Sequence, residues 1–98
     1  MALARVVKFE DVTREHIADL RQRMSEGDGP PDDIPASEMI ILHDPEGGRS
    51  LAILFFENEE DYARGDAALD AMPSEETPGR RVGVAKYEVA IRMTPATA

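Results

Sequence analysis

The chain has no cysteine and no tryptophan, and aromatic residues make up only 5% of its 98 residues. The missing cysteine excludes disulfides, a thiol nucleophile and a Cys-ligated metal. Scarce aromatics leave the core to aliphatic packing. Basic residues are also few: 11 Lys and Arg stand against 20 Asp and Glu, a formal net charge of −9. Nucleic-acid binders need a basic face to neutralise phosphates, and anionic membranes repel an acidic surface. Neither partner is expected. No run of about 20 apolar residues is available to span a bilayer, and no signal-peptide pattern is present. The cytoplasm is the expected location.

What is present starts with Arg49 to Asn58. In a strand, side chains alternate between faces. Leu51, Ile53 and Phe55 then point one way, and Ala52, Leu54 and Phe56 the other. A half-solvated strand places polar residues on one face; this stretch does not, so both faces call for cover. Asn58 supplies an N-cap oxygen, and Glu59, Glu60 and Asp61 put negative charge at the positive end of a helix. Strand is expected to pass into helix almost without a loop.

The remaining segments follow the same logic. Leu3 to Phe9 is valine-rich and reads as a strand, with Leu3, Arg5, Val7 and Phe9 on one face and Ala4, Val6 and Lys8 on the other. Thr13 is an N-cap candidate, with Val12 and Ile17 placed for a hydrophobic staple. Ile17, Leu20 and Met24 give that helix an apolar face ending near Ser25. Residues 26–37 hold too much Gly and Pro for regular structure and read as a loop or an active-site lid. Glu38 to His43 is a second strand, and Asp44 to Gly48 a hairpin turn. The second helix runs from Glu59 to about Met72 with Tyr62, Gly65, Leu69 and Met72 in one stripe. Gly65 there predicts close approach of helix to sheet. After a loop over 73–81, Val82 to Met93 reads as a long last strand, followed by a frayed tail. Its surplus length is available to pair beyond the chain.

One domain over residues 1–98 results, of the α+β class. The order βαββαβ is the ferredoxin-like arrangement, and right-handed crossovers give an antiparallel sheet ordered 4-1-3-2. The second and fourth strands then form the edges. An apolar edge strand and an apolar open face both invite a second chain. A homodimer through the open face and the second and fourth strands is the expected assembly.

The run Arg49 to Tyr62 resembles the third-strand-to-second-helix segment of dimeric α+β barrel proteins, among them the antibiotic-biosynthesis-monooxygenase-like group. The layout agrees over about residues 4–94. The resemblance implies two sheets joined into a barrel with one pocket per subunit. Within the superfamily some members oxidise polyketide quinones without a cofactor, some degrade haem, and others are isomerases or decarboxylases. The chain departs from the first two groups: both rely on a Trp, and haem degraders also use a His on the second helix, where residues 59–72 hold none. No cofactor is expected.

His43 and Tyr87 are the catalytic candidates, because a histidine titrates near neutrality and a Tyr among apolar neighbours presents a polar hydroxyl. Phe55, Phe56, Asn58 and Arg92 are ligand-pocket candidates. One of the two phenylalanines belongs under the helices. Asn58 is equally accounted for as a cap, and Arg5 and Arg92 are candidates to hold an anion. Lys86, Glu88 and Arg92 are expected on the face opposite Tyr87. Asp44 and Glu46 beside His43 make only a weak metal pattern. Three functional readings follow: a cofactor-free, monooxygenase-like enzyme on a small aromatic or polyketide-type molecule, a non-catalytic binder of a small apolar or aromatic ligand, and a structural dimerisation module.

Overall fold

A computed structural model describes residues 2–25, 34–71 and 79–93. Its elements are β1 (Leu3–Glu10), α1 (Arg14–Ser25), β2 (Glu38–Asp44), β3 (Arg49–Phe56), α2 (Glu59–Asp70) and β4 (Arg80–Glu88). All strand pairs are antiparallel, and the sheet order is β2-β3-β1-β4. The predicted α+β class, element order and sheet order are therefore observed. No helix among the described residues is long and apolar enough to cross a membrane. The expectations for loop 26–33, Met72, Pro73, the tail 94–98 and the Met24 side chain fall outside the described set.

Capping fixes both helix starts. The Thr13 hydroxyl accepts the His16 N–H at 3.1 Å, and the Thr13 N–H donates to His16 Nδ1 at 3.2 Å. His16 thus plays the returning role that Glu takes in a capping box. Ile17 packs against the Val7, Phe9 and Val12 cluster, as a staple requires. At α2 the Asn58 side-chain oxygen accepts the Asp61 N–H at 2.8 Å, and only Glu57 and Asn58 separate β3 from the helix.

Register places Leu3, Arg5, Val7 and Phe9 on one face with Phe56, Leu54, Ala52 and Ser50. That face carries the core. Phe56 is 0% exposed and meets Tyr62 edge to face at 5.4 Å between centroids. Gly65 lies directly above it: a Cβ there would stand 2.4 Å from Phe56 Cε1. Only a residue without a side chain lets α2 sit this close, as the sequence indicated.

Arg5 is buried on the same face, at 2% exposure. Its guanidinium donates to Asp66 at 2.8 Å and Asp70 at 3.1 Å on α2, and Arg81 reaches Asp70 at 3.2 Å. Burying an unpaired charge costs several kcal/mol in order of magnitude, so these carboxylates are what make the position tenable. Arg5 is a structural tie, not an anion site.

The last strand differs from expectation. It begins at Arg80, two residues early, and ends at Glu88 rather than Met93. Among the described residues its strand neighbour is β1, whose first residue, Leu3, pairs with Glu88. One further bond, from the Val89 N–H to the Ala2 carbonyl, closes the ladder. Beyond it no described strand lies alongside, and residues 89–93 leave the sheet. A register shift between Lys8 and Phe9 also leaves Val82 unpaired as a bulge.

Candidate functional site

Among the described residues no helix lies on the second face of the sheet, and its lattice can be read row by row from the register. Tyr87, Ala4, Phe55 and Glu38 form the first row. Ala85, Val6, Ile53 and Ile40 form the second, which is wholly apolar. Gly83, Lys8, Leu51 and Leu42 form the third. The fourth holds Arg80, Glu10, Arg49 and Asp44. Several large apolar side chains stand out of this face: Leu42 is 50% exposed, Tyr87 55% and Val82 45%.

Charge on this face is close to balance although the whole chain is strongly acidic, with Arg92 crossing onto it from beyond β4. Its strands carry Lys8, Arg49 and Arg80 against Glu10, Glu38 and Asp44. The acids are all engaged. Arg49 holds Asp44 at 2.8 Å, Arg80 lies 3.5 Å from Glu10, and Arg92 lies 3.6 Å from Glu38. The Asp44 carboxyl is held below its ordinary range first by Arg49 and then by the Gly47 N–H. Lys8 is the exception: no ion pair or hydrogen bond involves its side chain among the described residues.

A recess of about 570 Å³ opens at the hairpin end of this face, among Lys8, Glu10, Leu42, Arg49, Leu51 and Val82. Phe9, His43, Asp44 and Ser50 complete its wall. The size is that of a small-molecule site, typically about 300–1,000 Å³. Gly83, beside Lys8 in the third row, faces open space: a methyl group placed there would meet no atom within 4 Å.

The sequence-derived candidates do not converge. His43 pairs with Ser50 and shares the helix-facing parity of Met39 and Ile41. Both ring nitrogens are buried and have no hydrogen-bond partner among the described residues. Tyr87 lies on the open face, on the opposite edge strand and in the row furthest from the hairpin. Within one subunit the two share no site. Phe56 is core and contributes nothing to the recess. Phe55 is on the open face, half-buried, with the Arg92 guanidinium 4.6 Å from its ring centroid. Arg92 therefore does not join Lys86 and Glu88 opposite Tyr87. After β4 ends, the chain carries it across the open face to Phe55 and Glu38. Lys86 stays on the helix side, 2.7 Å from Glu59 and 4.8 Å from the Tyr62 ring centre. Asn58 is an exposed helix cap.

The weak metal pattern gains no support. Asp44 is committed to Arg49 and to the Glu46 and Gly47 N–H groups, and it faces away from His43. Among the described residues no three His, Asp or Glu side chains gather to hold an ion. Sequence reading missed Lys8, Leu42, Leu51 and Val82 as site residues. Alternation had already grouped Lys8 with Ala4 and Val6, but which face lacked helices was not legible.

Comparison of the chain with protein-family models, with curated proteins and with solved structures gave no match.

Proposed function

We propose that the protein works as a homodimer whose open sheet faces pack together and enclose a chamber for a small, mostly apolar molecule. One observation carries the reading. The helix-free face joins an all-apolar row, Ala85, Val6, Ile53 and Ile40, to a border whose acids are all paired, on a chain whose net charge is −9. Two acidic chains repel least where each presents little net charge, and an exposed apolar face gains most from being covered. The two edge strands, β2 and β4, offer unpaired backbone groups to the same partner. The resemblance to dimeric α+β barrel proteins points the same way.

The recess supplies the binding volume. Binding takes precedence over catalysis because His43 and Tyr87, the two groups suited to proton transfer, lie far apart in one subunit. The catalytic version, a cofactor-free monooxygenase-like enzyme, has one observation in its favour: His43 is part of the recess wall.

Sedimentation velocity at about 10 µM tests the assembly. The wild type is expected to run as a dimer, and Ile40→Glu with Ile53→Glu as a folded monomer; a monomeric wild type removes the reading. A panel of quinols tests catalysis, with turnover lost in His43→Ala as its signature.

A further inference from the structure

We infer that the recess takes an amphipathic anion, a small molecule with an apolar body and one carboxylate- or phenolate-like negative charge, and that Lys8 is its counter-ion. The inference deepens the chamber proposed above and rests on it for the covering of the face.

The argument is one of accounting for charges. Lys8 shares its row with Gly83, Leu51 and Leu42, so apolar or absent side chains flank its ammonium. The nearby acids are already held: Glu10 and Asp11 share Arg80, Asp44 is held by Arg49, and Glu38 by Arg92 at the far end. A second copy laid over this face would bring the same acids in the same pairs. Covering the face then strips water from Lys8 without giving it a protein partner. A desolvated ammonium without a counter-charge is strongly unfavourable, so the covered state calls for an anion from solution. The volume of about 570 Å³ admits more than an inorganic ion, and Leu42, Leu51 and Val82 suit an apolar body. The chain as a whole, at −9, repels anions at long range, so selection must come from this short-range contact.

A pair of dyes with one ring system tests this directly. 8-Anilinonaphthalene-1-sulfonate carries a negative charge; N-phenyl-1-naphthylamine has the same body without it. Fluorescence titrations at about 150 mM salt are read beside sedimentation of the same samples. The anionic dye is expected to bind at least about tenfold tighter, the value of one charge-assisted contact. Lys8→Met is expected to abolish that preference while the neutral dye binds as before, and Lys8→Arg to restore it. Lys86→Met, on the helix side, is expected to leave it intact.

Equal binding of the two dyes overturns the inference, and so does a preference that survives Lys8→Met. A dimer without the preference leaves the chamber standing and removes the anion. A monomer with a Lys8-dependent preference removes the dimer and leaves the site. A monomer without it removes both.

Discussion

Phe55 and Phe56 are neighbours in the chain and opposites in the structure. Phe56 is sealed beneath α2, against Tyr62 and below Gly65. Phe55, one residue earlier, lies half-buried on the helix-free side under the Arg92 guanidinium. The two faces of this sheet are thus alike in composition and different in state. One is finished by the chain's own helices. The other has similar side chains, paired acids and, among the described residues, no helix over it, only Arg92 lying across Phe55. Composition alone does not set burial; topology does, because both crossover helices of this arrangement return on the same side.

The largest expected break in that contrast comes from truncating the two rings. Phe56→Ala should lower the unfolding free energy by about 3–5 kcal/mol. Phe55→Ala should cost less than about 1.5 kcal/mol in dilute, dissociated protein. Equal losses in denaturant titrations would mean that the faces are not distinct. Next comes the buried charge. Asp66→Asn with Asp70→Asn strands the Arg5 guanidinium and should cost about 3 kcal/mol or more, whereas Arg5→Met should be near neutral. The order of those two variants is the test.

The glycines sharpen the comparison further. Gly65→Ala should lose about 1–3 kcal/mol through overpacking on Phe56, despite a helix-propensity gain of about 1 kcal/mol. Gly83→Ala, on the open face where nothing lies within 4 Å, should be neutral or stabilising by up to about 1 kcal/mol. Thermal melts of both distinguish a packed face from a vacant one.

The smallest effect is expected at alkaline pH. Burial, then the Asp66 charge, raises the Tyr62 hydroxyl above its ordinary value of 10.0. The folded state holds that proton more tightly than the unfolded chain does. Its contribution is complete below pH 10 and is lost as pH rises through the raised value. Lys86 is raised chiefly by its hydrogen bond to Glu59, and its contribution fades in the same direction above its ordinary 10.5. Tyr62→Phe should flatten part of the alkaline limb of a stability-against-pH curve. Lys86→Met should remove a separate part. An unchanged limb in both variants would remove the assignment.

Much of the architecture was legible beforehand because local signals agreed. Alternation in residues 49–56, the Asn58 cap, the Thr13 cap with its staple and Gly65 in the second helix each dictate their structure over a few residues. The last strand misled because alternation continues past Glu88, while pairing depends on whether a neighbouring strand is still there. Arg5 reads from the sequence as a candidate to hold an anion; in the fold Asp66 and Asp70, a turn apart on α2, lie over it and take that role. The candidate site was less legible still. His43 and Tyr87 were chosen for their chemistry, and nothing local reveals that they occupy opposite faces and edges of the sheet.

By itself, the order of residues determined the elements, their caps, the strand parity and a net charge of −9. Those properties follow from backbone periodicity and from charge, which act within a few positions or over the whole composition. Only the tertiary structure decided which parity is buried, where β4 stops, that Arg92 crosses to Phe55, and that Lys8, beside an open recess, has no partner among the described residues. These depend on which segments distant in the chain become neighbours, and pairing and burial are properties of neighbours.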